Sequence, residues 1–344
     1  MKKILALILA VLLLLSLAAC SSKEAAPEAT PEPTEETKTE AASPAEPAAE
    51  PAAEPAEEKQ ISIGLTFLNL DNPFFVAFKA AAEEACAEAG VNLVFSDSKG
   101  TSEGQIKAME DFIAMGVDAI IITPQDGEAV LPQIQEARSQ GIYVVCHTIM
   151  PAEYDAYVGA DEYDMGFCLG AAAGKWIKEN LGDQEVVQAA TLNYDIAPTV
   201  IPRKEGIIDG VLSIASNVEF VATETAGETA AGMAAAETFL ASYPDLQVLL
   251  GINDGGALGA YEAFMDAGKT GDDILIGGID ATAEGLAKVA EGGIYRITVD
   301  QDPANMARIC VQDCLDLIAG KEIVKEYYAE LVPVTAENIA DYVN

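Results

Sequence analysis

Residues 61–75 read ISIGLTFLNLDNPFF, and this stretch decides the fold. A short apolar, β-branched run (61–67) hands over through Leu68 to Asn72 to a segment opened by Pro73, the residue that suits a first helical turn. That is the strand–turn–helix start of an α/β domain. In nucleotide-binding versions of the turn, glycines let phosphate approach the backbone N–H groups. Here Phe74 and Phe75 stand there instead, so a different ligand is expected. Asp71 or Asn72 is placed to cap the helix.

The same alternation continues along the chain. Strands are expected at 61–67, 91–97, 119–123, 143–147, 157–160, 185–191, 219–224, 248–252, 274–279 and 295–299. Helices are expected at 73–89, 102–115, 128–140, 163–180, 202–214, 229–242, 255–267, 282–291 and 303–319. Near-continuous apolar strands joined by crossover helices mean parallel sheets covered on both faces. The strands are too many for one small sheet, so the fold class is α/β with two doubly wound parallel-sheet lobes. In such sheets ligands bind outside the carboxyl ends of the strands. The residues there are rich in Asn, Asp and Gln, whose paired donors and acceptors suit a ligand made of hydroxyl groups.

Ahead of this body, Lys2 and Lys3 followed by the apolar run Ile4 to Leu17 have the form of a secretion signal. The run is shorter than the roughly 20 residues of a membrane span. Leu17-Ala18-Ala19-Cys20 resembles the lipobox of bacterial lipoproteins, which implies that Cys20 becomes a lipidated N-terminus. Residues 21–59 hold 11 Ala, 11 Glu and 7 Pro with no aromatic or large aliphatic side chain. Such a chain cannot bury enough apolar surface to offset its ordering entropy. A disordered tether is expected, with a maximal reach of roughly 120 Å in polyproline II form.

Of the net charge of −37, the body at 60–344 carries −31, from 14 Lys+Arg against 45 Asp+Glu. So acidic a surface repels nucleic acid and other polyanions. Five cysteines besides Cys20 (Cys86, Cys146, Cys168, Cys310 and Cys314) show no CxxC spacing and read as small buried core residues. One histidine in the chain argues against a zinc site, and no cofactor or metal is expected.

DNPFF (71–75), GVDAIIITP (116–124), VGADEYDMG (158–166), RKEG (203–206), INDGGALGA (252–260), GGID (277–280) and TVDQDP (298–303) recur in one order. In that order they resemble the type I periplasmic sugar-binding proteins of ABC transporters, the ribose-binding class, here in lipoprotein form. The resemblance implies lobes at 60–162 with 302–328 and at 163–301 with 329–344, joined by a three-segment hinge. It also implies a neutral sugar or polyol as ligand and transporter permease subunits as partners. The location implied is the cell surface or periplasm, with the lipid anchor on the outer face of the plasma membrane.

An aromatic ring laid on the C–H face of a sugar buries that face and leaves the hydroxyls free. One of Phe74 and Phe75 is therefore expected to stack on the ligand, with the other beneath it. The matched hydrogen-bonding positions are Asn72, Arg203, Asn253, Asp280 and Gln301. A guanidinium can fork two hydroxyls. Each also has a structural alternative: an ion pair for Arg203, a helix cap for Asn253 and Asp280, a hinge role for Gln301. Aldose-binding members commonly carry an Asp-Arg pair after the fourth strand, where Thr148 and Ile149 stand here. His147 beside them either faces the cleft or is a satisfied strand-end histidine.

An enzyme is the rival class. No GxSxG elbow, P-loop or GxGxxG follows a strand, and Asp161 and Glu162 point to opposite sides if extended. A sensor presenting a sugar, cyclitol or furanosyl signal to a receptor would use the same closure and stays open as an alternative.

Overall fold

The computed structural model describes residues 60–195 and 198–343; the signal, Cys20 and the tether lie outside the described residues. The strands are β1 Ser62–Phe67, β2 Asn92–Asp97, β3 Ala119–Ile122, β4 Tyr143–His147, β5 Ala156–Gly159, β6 Val187–Asn193, β7 Val218–Thr225, β8 Leu246–Gly251, β9 Leu275–Gly277, β10 Tyr295–Asp300, β11 Glu326–Tyr328 and β12 Val332–Val334. The helices are α1 Pro73–Ala89, α2 Ser102–Met115, α3 Leu131–Ser139, α4 Glu162–Asn180, α5 Ile201–Leu212, α6 Thr229–Ser242, α7 Asp254–Asp266, α8 Ala283–Glu291 and α9 Pro303–Ile318.

The strands form two sheets, ordered β11-β5-β4-β3-β1-β2 and β12-β10-β9-β8-β6-β7. The first is parallel throughout; the second is parallel except for β12, which runs antiparallel to β10 at its edge. The chain passes from one sheet to the other at 160–161, 301–302 and 329–331.

Local sequence explains where the elements begin and end. Asn72 accepts from the Phe74 N–H and caps α1, Pro73 occupies the first turn, and Gly90 closes the helix in the left-handed conformation at φ 70°. Thr101 caps α2 and Asp161 caps α4 in the same way. The central strands are buried on both faces, as β3 and β5 are at every position. Their apolar runs therefore lack the period-two alternation of a half-exposed sheet. One apolar core joins α1, β1 and α9 to α4, α5, β6 and β10; two smaller ones lie under α2–α3 and under α6–α7.

Helices α4 and α5 approach backbone to backbone. A Cβ on Gly166 of α4 would lie 1.8 Å from the Arg203 carbonyl oxygen, and one on Gly206 of α5 would lie 2.1 Å from that of Tyr163. Glycine is required at both, and the contact seats Arg203 against α4.

Candidate functional site

The side chains singled out in the sequence lie at or just past the carboxyl ends of β1, β4, β6, β8, β9 and β10 or in the first turns of the helices that follow. On the first lobe, the Phe75 ring stacks on Phe67 at 5.0 Å between centroids and meets Phe74 edge-on at 5.3 Å. Phe74 and Phe75 are 5% and 7% exposed. Both rings belong to the main apolar core; Phe75 packs on Phe67, and Phe74 lies over the β4 end, stacked on His147 at 5.7 Å.

His147, for which the sequence leaves a cleft-facing place and a satisfied strand-end place both open, lies against Phe74 at the end of β4. It is fully buried, its Nδ1 is 2.8 Å from the Thr123 hydroxyl, and its Nε2 is 3.4 Å from the Met306 sulfur. Burial lowers its pKa to about 3, so the ring is neutral and serves to back Phe74. Thr148 follows in the left-handed region at φ 60°. Its carbonyl accepts from the Tyr157 hydroxyl at 2.9 Å, while its own hydroxyl sits 3.1 Å from His147 Nδ1.

The second lobe supplies charge. Arg203, in the first turn of α5, donates through Nε to Glu162 Oε2 at 2.6 Å and through an η nitrogen to the Ile252 carbonyl at 2.9 Å. The two side chains of this ion pair are 9% and 13% exposed. Burial works against the guanidinium charge, but Glu162 and then Asp280 outweigh it and raise the pKa. Asn253 caps α7 by accepting from Gly256 N–H at 3.0 Å, the structural role weighed for it. Asp280 is nearly fully buried at φ 116°, and its Oδ1 accepts from Gln301 Nε2 at 2.9 Å. Burial, followed by the charge of Asp254, raises the Asp280 pKa to about 8, against the pull of Arg203. One guanidinium thus shares a buried neighbourhood with several carboxyl groups.

Glu162 joins the candidate site through its ion pair with Arg203, and its place there is not evident from the sequence. Treating 161–162 as extended made the pair look divergent; the chain instead turns into α4 there, with Asp161 as cap and Glu162 aimed at Arg203. Its other oxygen, Oε1, is buried with no hydrogen-bond partner. The same holds for Gln125 Oε1, just past β3, and Asn193 Oδ1, at the end of β6. Buried acceptors without donors are costly unless something supplies the donor. Of the other such atoms on the described residues, those of Gln133, Gln188 and Asp313 lie away from the strand carboxyl ends; those of Glu162, Gln125 and Asn193 lie there and fit a molecule carrying several hydroxyl groups.

The arrangement offers donors, acceptors and one aromatic wall, with little for covalent chemistry. Desolvation raises the pKa of Cys86 to about 11 and that of Cys168 to about 11, and pushes Cys146, Cys310 and Cys314 higher still. Such thiols are poor nucleophiles. Among the described residues no cluster of His, Cys, Asp and Glu is arranged to hold a metal ion. A depression of about 350 Å³ lined by Gly116, Asp118, Gln140 and Tyr143 lies at the opposite, amino-terminal ends of β3 and β4.

Comparison with known proteins gives a consistent answer. A family described as periplasmic binding protein domain matches residues 63–322. The ribose import binding protein of Bacillus subtilis (strain 168) is 29% identical over 278 residues, covering 80% of this chain and 87% of that protein. An ABC transporter periplasmic solute binding protein from Actinobacillus succinogenes 130z, solved with bound D-allose, superposes with a TM-score of 0.77 at 25% identity. That match covers 82% of this chain and 100% of the other. A solute binding protein from Bacillus halodurans C-125 with bound myo-inositol gives 0.75 at 26% identity, covering 83% and 98%.

Proposed function

The chain belongs to the periplasmic binding protein domain family and has its type I fold, and from that premise we propose that it captures a sugar or related polyol between its two lobes for an ABC importer. The family is one of solute-binding proteins, not enzymes. The observation that carries the ligand class is the set of buried, donor-less acceptors on Glu162, Gln125 and Asn193 at strand carboxyl ends, the ends at which Arg203, Asp280 and Gln301 also stand. Ligand hydroxyls would supply the missing donors, while Phe74 offers a ring for a C–H face. The relatives with ribose in their name, or with D-allose or myo-inositol bound, support the same class.

Asn72, Phe74, Arg203, Asn253, Asp280 and Gln301 form the proposed contact set, with Thr148 at its margin and Phe75 beneath Phe74. Residues 60–162 with 302–328 move against 163–301 with 329–344 about the three crossings. Closure removes the ligand from water while fixed groups replace its hydration. The closed form docks on the permease subunits.

The protein works in the periplasm or at the cell surface, as its family does. Lipidation of Cys20 anchors it to the outer face of the plasma membrane, a reading supported by the Leu17-Ala18-Ala19-Cys20 pattern. Replacing Cys20 by Ser then moves the protein from the detergent phase to the aqueous phase on partitioning; an unchanged distribution refutes the anchor.

A thermal-shift panel of pentoses, hexoses, inositols, nucleosides and amino acids tests the ligand class. A ligand at 100 times its dissociation constant stabilises by about 2.7 kcal/mol. A shift with a sugar or inositol is expected; a shift confined to nucleosides or amino acids contradicts the proposal.

A further inference from the structure

Directly after the Asn253 cap, Asp254 is fully buried and satisfied on both oxygens. Oδ1 accepts from the Tyr295 hydroxyl at 2.6 Å and the Thr298 hydroxyl at 2.7 Å. Oδ2 accepts from the Thr282 N–H at 2.8 Å and the Thr282 hydroxyl at 2.9 Å. Cβ atoms built on Gly278 and Gly285 would come within 2.5 and 2.4 Å of this carboxylate, so the cradle around it admits no side chain at either place.

These partners surround one corner of the chain. Asp280 and Ala281, adjacent in sequence, both have positive φ, 116° and 46°. Neither is glycine, and L-residues leave this region unless their surroundings hold them there. The holding contacts converge on Asp254. Its N–H donates to the Ile279 carbonyl at 2.6 Å, before the corner, and its carboxylate takes both Thr282 donors after it. The Thr298 hydroxyl that donates to Asp254 accepts in turn from the Ala281 N–H at 3.0 Å, within the corner itself.

We propose that Asp254 is a positioning residue that clamps the Asp280–Ala281 corner in its left-handed conformation and so presents the Asp280 carboxyl, set against Gln301, to the ligand. The affinity part of this inference rests on Asp280 being a ligand contact; the clamp itself does not. Setting the corner in advance removes ordering that the ligand would otherwise have to impose.

Two measurements on the full chain test it. The first needs no ligand: thermal unfolding of the wild type, Asp254→Asn, Ala281→Gly and the double variant. Glycine loosens the unfolded chain equally in both backgrounds, so that contribution cancels in the cycle. If Asp254 holds Ala281 strained, Ala281→Gly is more favourable in the wild type than in Asp254→Asn by about 2 °C or more in Tm. Equal changes in both backgrounds overturn the clamp. Should Asp254→Asn fail to fold, Thr298→Val removes the relay to the Ala281 N–H together with one of the four donors to Asp254, leaves the carboxylate and its other three donors in place, and enters the same cycle.

The second is calorimetric titration with D-ribose, D-allose and myo-inositol. With a probe that binds the wild type, Asp254→Asn weakens binding by about tenfold or more, and adding it to Asp280→Asn causes no further loss. Additive losses overturn positioning through Asp280. If none of the probes binds the wild type, the proposed ligand class is contradicted, and the unfolding cycle still decides the clamp.

Discussion

Replacing Glu162 by Ala removes the counter-charge of a guanidinium that has little access to water. The pair is 2.6 Å apart with side chains 9% and 13% exposed. Two unit charges about 4 Å apart attract by about 4 kcal/mol at an effective dielectric of about 20. Breaking a buried pair from one side typically costs about 3–5 kcal/mol, because the remaining ion stays buried. The charge of Glu162 is one of those that hold a proton on Asp280, so its removal favours ionisation of Asp280 near Arg203 and restores part of the compensation, which brings the expectation for Glu162→Ala to about 3 kcal/mol, the lower end of that range. For a body of this size that is a fall in Tm of about 6 °C or more. The two side chains stand on α4 and α5, whose backbones meet at Gly166 and Gly206, so the pair is held by that helix contact whether the cleft is open or closed. Urea unfolding monitored by circular dichroism measures the change directly. The double replacement Glu162→Leu with Arg203→Met should recover to within about 1 kcal/mol of the wild type, since an apolar pair needs no desolvation. A loss below about 1 kcal/mol for Glu162→Ala, the behaviour of an exposed pair, would refute the reasoning.

Asp280 sets a pH dependence of known sign. Its pKa is about 8 in the folded protein, so between about pH 4 and 8 the folded state holds a proton that the unfolded state has released. Its stabilisation is complete below about pH 4 and is lost as pH rises to about 8, by at most about 1.4 kcal/mol per unit. His147 acts oppositely. With a folded pKa of about 3 its contribution is complete above about pH 6.5 and is lost as pH falls toward 3. Urea midpoints of the wild type should fall from about pH 6.5 to 8 and those of Asp280→Asn should not; parallel profiles would contradict the assignment. Phe75→Ala should cost about 3–5 kcal/mol for loss of the buried stack on Phe67 while changing ligand affinity less than Phe74→Ala does, as unfolding and titration will show; the reverse order would exchange the roles of the two rings. Gly166→Ala puts a methyl 1.8 Å from the Arg203 carbonyl oxygen, and should destabilise by at least about 1–3 kcal/mol and weaken ligand binding by displacing α5; a neutral result on both readouts would show that the contact relaxes freely.

The fold was legible where its cause is local. Alternating apolar runs and helix-period segments are enough for parallel α/β sheets, and strand 143–147 and helices 73–89, 102–115 and 229–242 were read with the bounds they have. Pro73 and Gly90 mark the first helix because caps act within one turn. β11 and β12 were missed, since three-residue edge strands such as Glu326–Tyr328, with two of its residues exposed, carry no apolar run to announce them. The site divides in the same way. Residues that end a strand could be picked out by position. What they touch could not: Glu162 meets Arg203 across 41 residues, and Asp254 gathers Thr282, Tyr295 and Thr298 across 28 to 44. His147 shows the limit from the other side, because one residue type fits a cleft wall or a buried support equally well. Only the packing of Phe74, Phe78 and Met306 around it separates the two. The left-handed corner at Asp280 and Ala281 had no sequence signal, as glycine, the usual mark of such backbone, is absent from it.

Capture of a polyol at the strand carboxyl ends is tested most directly by a crystal structure of the protein with whichever sugar or inositol shifts its melting temperature. Density is expected between the lobes, with a face of the ligand on Phe74 and hydroxyls within hydrogen-bond distance of Arg203, Asp280 and the free oxygen of Glu162. Ligand density at the depression lined by Gly116, Asp118, Gln140 and Tyr143, with the Glu162 and Asn193 acceptors still lacking donors, would contradict it.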